Sequence, residues 1–315
     1  MEPGTGFCGR LAPSPTGAQH VGNARTYLIA WLSARSQRGA VSLRVEDIDV
    51  WRNKPGAVEQ LAEDFRWLGL DWDGPPVVQS RRLAEHAAAL DRLRRLELVY
   101  PCTCSRSDIQ TAASAPHLEH EGPTYPGTCA RRTAADADAL TTPYAWRFRV
   151  TDSPPFVDRY AGPQHIDLNQ AQGDFVVWRS AGVPAYQLAV VVDDAAAGVT
   201  EVIRGDDLLT STPRQLLLYR ALGLHPPAFA HVPLVVGEDG RRLAKRHGDT
   251  RLSALREAGV RPEALVGLLA WSCGWIENPE PITATELVPR FNLAAIPREP
   301  FVLTKAALRA IGFPA

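Results

Sequence analysis

The sequence predicts an α/β protein built around a parallel, doubly wound sheet. Two observations carry this prediction. Up to residue 100, apolar strand-like runs alternate with helical patterns, as expected for strand–helix–strand units. Residues 185–194 then form a nearly continuous apolar run, which is typical of a central strand buried on both faces. At 315 residues the chain is long enough for one large core or for two domains.

The first strand, loop and helix form a candidate anion site. Prolines and a glycine follow the apolar run 7–12, and a helical pattern begins after Gly22. A helix N-terminus offers unpaired N–H groups and the positive end of a dipole, so it suits a phosphate. His20 lies where its imidazole can reach that phosphate, and the missing Cβ of Gly22 lets a ligand approach the backbone. The triplet His-Val-Gly alone is more often an ordinary strand-to-helix turn.

A second strand, predicted at 41–49, ends in acidic residues. Ligands of open α/β sheets bind beyond the carboxyl ends of strands, which favours a functional role for these acids over a solvated loop. They are Glu46, Asp47 and Asp49. A helix is predicted to begin at Pro55 and end at Gly69, and another at 82–98, both with apolar residues at helical spacing.

The periodic pattern breaks at Tyr100, and residues 101–142 have little periodicity, which indicates an insertion. Strand-like runs in and after it suggest a small mixed subdomain: 144–150, 156–160 and 175–178. The parallel pattern resumes with 185–194 as a strand. It continues with a strand at 199–204, a helix at 211–222 and a final strand at 231–236. From Leu252 onward the pattern is helical.

The composition excludes several classes of protein. The formal net charge is −1, so no overall positive field attracts nucleic acid, and such a partner would need a local basic patch. The N-terminus has no signal-peptide pattern, and the apolar stretch 265–276 is too short to cross a bilayer. The five cysteines are an odd number, which argues against a disulfide framework. We therefore expect a cytoplasmic protein with no membrane segment.

Three cysteines cluster in the insertion, in the pattern C-x-C-x20-Y-x3-C. They are Cys102, Cys104 and Cys129. Two thiolates one residue apart, with a third ligand later, can contribute to a tetrahedral zinc site, and a reducing compartment favours a metal over a disulfide. The residues leave the fourth ligand open among His117, His120 and Tyr125, of which histidine is the commoner ligand type. The alternative is three incidental cysteines in a loop.

The segment RLAKR, 242–246, places one of the few lysines just past the strand at 231–236. PSPTG followed by HVGNART resembles the ATP-binding HIGH motif of the class I aminoacyl-tRNA synthetases, specifically their glutamyl branch. RLAKR resembles the KMSKS motif of the same family. The resemblance therefore implies a Rossmann-like class I synthetase catalytic domain.

This resemblance assigns catalytic roles to His20 and Lys245, which would neutralise charge on the phosphates of ATP bound with Mg²⁺. Asn23 stands at the second histidine of HIGH, and Ala244 at the serine of KMSKS. The implied ATP-binding residues are His20, Gly22, Asn23, Arg242 and Lys245.

Glutamate carries two carboxylates and an ammonium, so its site needs guanidinium groups and an acid. The resemblance places them in the segments RLAPS, VEDID, YQLAVVVDD and IRGDDL. Arg10 and Arg204 would bind carboxylates, Glu46 the ammonium, and Tyr186 would donate a hydrogen bond. The implied glutamate-binding residues are Arg10, Leu11, Ala12, Pro13, Ser14, Glu46, Tyr186 and Arg204. Singly, each of them is more often structural.

The C-x-C…Y-x3-C arrangement resembles the glutamyl-queuosine tRNA(Asp) synthetases, a family of truncated paralogues of the glutamyl enzymes. This resemblance assigns one structural zinc to Cys102, Cys104, Tyr125 and Cys129. It implies tRNA-independent activation of L-glutamate by ATP and transfer of glutamate to the queuosine base in the anticodon loop of tRNA(Asp). Only residues 247–315 follow RLAKR, so we expect no anticodon-binding domain, and we expect a monomer.

The implied organisation has four parts. They are the first half of the catalytic domain (1–100), a zinc-bearing insertion (101–180), the second half of the catalytic domain with the KMSKS-like loop (181–249) and a helical C-terminal region (250–315). There are three alternatives: an ordinary glutamyl-tRNA synthetase that charges the tRNA 3′ end, a small-molecule adenylyltransferase, and a non-catalytic tRNA-binding or regulatory module. The short remainder after RLAKR argues against the first, the Cys/Tyr cluster against the second, and the intact His20 and Lys245 against the third.

Overall fold

The computed structural model describes residues 6–15, 18–48, 53, 56–105, 107–109, 124–243 and 249–314. The strands are β1 (Cys8–Leu11), β2 (Ala40–Val45), β3 (Val77–Val78), β4 (Val99–Cys102), β5 (Ala145–Phe148), β6 (Phe156–Asp158), β7 (Gly162–Gln164), β8 (Phe175–Trp178), β9 (Glu201–Gly205), β10 (Ala228–Val232), β11 (Val235–Val236) and β12 (Phe301–Val302).

The helices are α1 (Val21–Ser36), α2 (Ala57–Trp67), α3 (Leu83–Arg95), α4 (Leu168–Ala171), α5 (Tyr186–Ala196), α6 (Thr212–Ala221), α7 (Leu252–Glu257), α8 (Pro262–Ser272), α9 (Ala284–Leu287) and α10 (Lys305–Ala310). Several residues singled out from the sequence lie outside the described ranges: Asp49, Pro55, His117, His120, Ala244 and Lys245.

Parallel strands form the layer that positions the site. β1 pairs with β2 and β2 with β3, while β9 pairs with β10 in the same sense. The Thr200 N–H donates to the Cys8 carbonyl at 2.8 Å, so β9 lies beside β1. The strands therefore follow one another in the order β3–β2–β1–β9–β10. The α/β fold with parallel strands, predicted from the alternation of strands and helices, is confirmed.

Residues 186–196 form helix α5, where the sequence predicted a central strand at 185–194. An apolar run fits either a buried strand or a helix enclosed on several sides, and length helps to separate the two. This helix has 11 residues, and its consecutive positions from Gln187 to Val191 are buried rather than alternating. The prediction of a strand was therefore wrong, and Tyr186 begins a helix.

The predicted final strand at 231–236 is two strands, β10 and β11, separated by Pro233. Proline has no N–H to contribute to a ladder, so it interrupts the pairing here. β11 pairs in parallel with β12, and the Phe301 N–H donates to the Leu234 carbonyl at 3.0 Å. The C-terminal region is thus mostly helical, as predicted, but it also supplies a short strand that was not predicted.

The three strand-like runs predicted after the insertion correspond to β5, β6 and β8. β4, β5 and β8 form an antiparallel sheet, and β6 pairs with β7 as a hairpin that the sequence did not predict. β6 also lies against β10, where the Arg159 N–H donates to the Phe229 carbonyl at 2.8 Å. The inserted segment is therefore anchored to the parallel strands.

Helix α1 is enclosed by the main core. Leu28, Ile29 and Leu32 are at most 1% exposed and pack with residues of β1, β2 and the C-terminal helices. The buried Arg25 guanidinium donates to the Ser272 hydroxyl at 2.9 Å and the Pro233 carbonyl at 2.8 Å, which joins α1 to α8. Within the described part of the chain, none of the helices combines the length and apolar character needed to span a bilayer.

Candidate functional site

A cavity of about 660 Å³ opens at the carboxyl ends of β1, β2 and β9, beside the N-terminus of α1. Ten of the predicted site residues line it: Arg10, Ala12, Ser14, His20, Gly22, Asn23, Glu46, Tyr186, Arg204 and Arg242. Two do not. The Leu11 side chain is fully buried in the core, and the Pro13 carbonyl accepts a hydrogen bond from the Glu46 N–H at 2.9 Å. Leu11 and Pro13 therefore support the cavity wall rather than face the cavity.

His20 caps the N-terminus of α1. Its Nδ1 accepts hydrogen bonds from the N–H groups of Gly22 at 3.1 Å and Asn23 at 3.3 Å. The Asn23 side-chain oxygen accepts from the His20 N–H at 3.2 Å, which completes a capping box. An accepting nitrogen carries no proton, so the imidazole is neutral and its proton lies on Nε2. The ring can therefore offer one N–H donor to a ligand.

The surroundings of His20 favour this neutral form. Burial, followed by the positive charge of Arg242, lowers the pKa of His20. A Cβ on Gly22 would lie 3.0 Å from His20 Cε1 and 3.1 Å from Nδ1. The sequence predicted that a ligand would use this open space, but the imidazole occupies it. A side chain at position 22 would force the ring over the helix end to shift by a few tenths of an ångström.

Lys245, the second predicted catalytic residue, lies outside the described residues, but the chain on both sides of it approaches His20. Leu243 lines the cavity, and so does Arg242, whose guanidinium forms an ion pair with Asp207. On the other side, the Thr250 carbonyl accepts a hydrogen bond at 3.0 Å from the backbone N–H that follows His20. Described residues on either side of Lys245 thus lie near the HVGN loop.

Two arginines share one buried carboxylate beside the cavity. Arg10 Nε lies 3.2 Å from an oxygen of Asp194, and Arg44 forms an ion pair with the same oxygen. Arg44 also donates to Glu46 at 2.9 Å, and these ion pairs raise its pKa although burial acts against them. Arg44 and Asp194 were not predicted from the sequence. Two features could have indicated them: Arg44 is a charged residue in the middle of an apolar strand, and Asp194 is an acid at the end of an apolar run.

Arg204 has mainly neutral partners. Its Nε donates to Nε2 of the buried His231 at 2.9 Å, and its Nη2 donates to the Thr212 hydroxyl at 3.0 Å. Burial lowers the pKa of Arg204 and raises the pKa of the nearby Tyr186, so both groups lie in a poorly hydrated part of the cavity. His231 was predicted only as the start of a strand, and its contact with Arg204 was not predicted.

The three cysteines of the insertion meet at one point. The Sγ atoms of Cys102, Cys104 and Cys129 all lie within 4.8 Å of one another, and those of Cys104 and Cys129 are 3.7 Å apart. Tetrahedral zinc with Zn–S bonds of about 2.3 Å requires S–S separations of about 3.8 Å, so this spacing fits. The Tyr125 hydroxyl lies 3.5 Å from Cys102 Sγ and accepts from the Cys129 N–H at 2.8 Å. The cluster could therefore hold a metal ion.

A buried arginine supports this cluster. Arg147 Nε donates to Cys102 Sγ at 3.3 Å, and its guanidinium carbon lies 3.8 Å from the centre of the Tyr125 ring. Its positive charge offsets the negative charge of thiolates. Although burial opposes ionisation of Cys129, hydrogen bonds from the Thr103 backbone and the Cys104 thiol lower its pKa to about 7, whereas burial and its hydrogen bond to Cys129 raise the pKa of Cys104 to about 11. Before a cation binds, Cys129 is thus favoured as a thiolate and Cys104 as a thiol.

Comparison with known proteins places this geometry in context. The family model described as tRNA synthetases class I (E and Q), catalytic domain, matches residues 8–308. A protein of Symbiobacterium thermophilum named Glutamyl-Q tRNA(Asp) synthetase is 52% identical to this chain, and the match spans 97% of this chain and 98% of that protein.

Two longer proteins are also similar. A Glutamate--tRNA ligase of Geobacter sulfurreducens is 41% identical, and the match covers 91% of this chain but 61% of the ligase. Among solved structures, the glutamate-tRNA synthetase from Elizabethkingia anophelis superimposes with a TM-score of 0.82 at 27% identity, covering 96% of this chain and 69% of that one. The likeness therefore extends over nearly all of this chain in both sequence and fold.

Proposed function

The chain belongs to the class I tRNA synthetases of the glutamate and glutamine type, a family of ATP-dependent ligases, and we propose that it glutamylates the queuosine base in the anticodon of tRNA(Asp). The family resemblance predicted from the HVGN, RLAKR and Cys/Tyr motifs is confirmed. Sequence identity supports this acceptor over a tRNA 3′ end. The Symbiobacterium relative named Glutamyl-Q tRNA(Asp) synthetase is 52% identical to this chain, whereas the Geobacter glutamate–tRNA ligase is 41% identical.

One observation carries the choice of glutamate, namely the balance of charge at the cavity. The Arg242–Asp207 ion pair at the cavity is neutral. Three further guanidinium groups meet two carboxylates at the cavity and in the wall beside it: Arg10, Arg44, Arg204, Glu46 and Asp194. The surplus of one positive charge complements glutamate, whose two carboxylates and one ammonium carry one net negative charge. We assign the carboxylates of glutamate to Arg10 and Arg204, and its ammonium to Glu46.

Activation begins when a carboxylate oxygen of glutamate attacks the α-phosphorus of ATP. A new bond joins that oxygen to phosphorus, the bond to the bridging oxygen of the β-phosphate breaks, and pyrophosphate leaves with the electron pair. The His20 Nε2–H and the Lys245 ammonium stabilise the charge on the phosphates. Mg²⁺ bound with ATP adds further charge neutralisation. This step proceeds without tRNA.

The proposed ATP site lies at the N-terminus of α1, beside Arg242. The N–H groups of Gly22 and Asn23 hold the His20 ring, so a phosphate meets the His20 Nε2–H and the positive end of the helix dipole, and Arg242 exchanges Asp207 for a phosphate when ATP binds. Support comes from the hydrogen bond between Thr250 and the residue after His20, which brings a residue beyond Lys245 to the helix N-terminus.

Transfer follows when a hydroxyl of queuosine attacks the acyl carbon of glutamyl-adenylate. An ester bond forms, the bond between the acyl carbon and the anhydride oxygen breaks, AMP leaves with that oxygen and the electron pair, and the AMP phosphate takes up the hydroxyl proton. A single-stranded anticodon loop can present a splayed base to such a pocket.

We propose that Cys102, Cys104, Tyr125 and Cys129 hold one structural zinc, which would fix the insertion next to the cavity.

The acceptor is tested with a tRNA(Asp) anticodon stem-loop that contains queuosine and has no acceptor end. Incubated with ATP and labelled glutamate, the fragment should become labelled, and the same fragment with guanosine in place of queuosine should not. Labelling only of queuosine-free full-length tRNA would instead identify an enzyme that charges the 3′ end. ATP–pyrophosphate exchange without tRNA tests the activation step separately.

A further inference from the structure

Three buried side chains, those of Asp158, His231 and Arg204, contact one another in series from the inserted segment to the cavity. Asp158, in β6, lies 2.6 Å from Nδ1 of His231, and neither side chain is exposed. Nε2 of the same imidazole accepts from Arg204 Nε at 2.9 Å. Asp158 is held in turn by the backbone N–H groups of Tyr160 at 3.0 Å and Ala161 at 2.7 Å. This series of side-chain contacts therefore begins at the turn that follows β6, outside the parallel strands.

The order of donors and acceptors fixes the tautomer of His231. A carboxylate accepts, so Nδ1 must carry the proton that it donates to Asp158. Arg204 always donates, so the opposite nitrogen must be unprotonated to accept from it. The imidazole is therefore neutral. Burial lowers the pKa of His231 despite the nearby carboxylate, which agrees with this assignment.

The neutral imidazole has a consequence for charge. Had Asp158 paired directly with Arg204, their charges would cancel and the guanidinium would attract an anionic ligand only weakly. The described hydrogen-bond partners of Arg204 are His231, the Thr212 hydroxyl, the Leu208 carbonyl and the Tyr186 side chain, and all four are neutral. The guanidinium is thus oriented by hydrogen bonds while it keeps its positive charge for the cavity.

We infer that Asp158 and His231 are positioning residues for glutamate, which set the orientation of Arg204 and preserve its charge for a substrate carboxylate. This inference rests on the proposed binding of glutamate at Arg204. It assigns a role to the β6–β7 hairpin, because the first residue of the chain of contacts belongs to the inserted segment. Neither residue touches substrate.

Asp158→Asn tests the inference. The new amide group would present a donor to Nδ1, so the imidazole proton would move to Nε2 and face the Arg204 N–H. We expect a rise of about tenfold in the KM for glutamate in ATP–pyrophosphate exchange, since a hydrogen bond to a charged group is lost, with little change in the KM for ATP. The matched control is Asp193→Asn, which breaks another buried Asp–His pair, to His86 at 3.0 Å. It should leave the KM for glutamate unchanged.

Two variants of His231 separate positioning from packing. The side-chain oxygen of His231→Gln can still accept from Arg204, whereas His231→Phe offers no acceptor. The KM for glutamate should stay near the parent value in the first and rise in the second. An equal rise in both, with both proteins folded by circular dichroism, would mean that the ring only fills space and would overturn the inference.

A spectroscopic measurement decides the tautomer independently of activity. In protein labelled with ¹⁵N-histidine, the His231 signals should show the proton on Nδ1, and Asp158→Asn should move it to Nε2. A parent protein with the proton on Nε2 contradicts the inference even if glutamate is activated. Failure of the parent to exchange pyrophosphate with glutamate would instead contradict the proposed function, while the tautomer still decides whether Asp158 and His231 orient Arg204.

Discussion

At the scale of single residues, His20 joins a structural task to the proposed chemistry. Its Nδ1 caps α1 and its Nε2–H remains for a phosphate. Asparagine is also a good N-cap, so His20→Asn should retain stability but lack the ring donor, while His20→Ala should lose both. We expect exchange activity to fall strongly in both variants, and the free energy of unfolding to fall by about 1 kcal/mol in His20→Ala alone.

Urea denaturation and ATP–pyrophosphate exchange measure these two effects separately. Asn23→Ala serves as the comparison for stability, because it removes the other half of the capping box and leaves the His20 ring in place. If His20→Asn kept normal exchange, the imidazole would have no role beyond the cap.

The pKa of His20 gives a second prediction at this scale. Burial and Arg242 lower the pKa of His20 in the folded protein, below the value of about 6.5 in an unfolded chain. The unfolded chain then binds more protons between these two values. His20 therefore contributes stability that is present above about pH 6.5 and is lost as the pH falls toward the native pKa.

An NMR titration of ¹⁵N-histidine protein measures this shift. The His20 signals should titrate below those of a peptide histidine, and Arg242→Gln should raise the pKa by removing the second cause of the shift. A His20 that titrates at or above the peptide value would contradict the neutral cap.

At the scale of elements, helix α5 shows where sequence reasoning succeeds and fails. The sequence predicted correctly that this segment is buried, because an apolar composition indicates burial. Its secondary structure was assigned wrongly, since β-branched valines at 190–192 favour a strand locally, whereas packing on several sides selects a helix. The ion pairs of Asp194 with two arginines were likewise not predicted, because they depend on that helix.

The cluster of Cys102, Cys104 and Cys129 joins β4 to the segment that contains Tyr125, and the prediction of a bound zinc belongs to this scale. Purified protein should contain one zinc per chain. Cys104→Ser should lose it, because only two thiolates remain. The matched control is Cys8→Ser, since Cys8 is another half-buried cysteine and lies outside the cluster. Metal analysis by mass spectrometry measures both, and freshly prepared parent protein without zinc would refute the proposed site.

Tyr125→Phe tests the fourth position of the same cluster. Three thiolates remain in this variant, so zinc should bind more weakly but still bind, as measured by competition with a chromogenic chelator. Unchanged affinity would show that the phenol oxygen is not a ligand.

At the scale of the whole molecule, Arg25 ties α1 to the C-terminal helices. Its replacement by methionine leaves the Pro233 carbonyl and the Ser272 hydroxyl without this buried donor. We expect Arg25→Met to lower the free energy of unfolding by about 2 kcal/mol or more, because an unsatisfied buried polar group retains its full desolvation cost. Arg35→Met, which removes a more exposed arginine of α1, should cost less in the same urea titration.

The assembly of the cavity was predictable only in part. The loop at His20 and the acids after β2 were predicted from the sequence because each directly follows a predicted strand, where ligands of such sheets bind. Only the family resemblance predicted that Arg204 and Tyr186 would join them, since their spacing in the sequence does not show that they lie near His20. His231 and Asp158 were not found at all, because their roles depend on contacts between β6, β9 and β10.

The hydrogen bond between Val21 and Thr250 also bears on how the protein is made. Ribosomes deliver the N-terminus first, and contacts between residues far apart in sequence form slowly because a large loop must close. The cap at His20 is local and can form as α1 emerges. The cavity is complete only after the chain has been translated beyond Thr250, so a nascent chain can carry a finished helix cap well before it has the cavity that we propose for ATP.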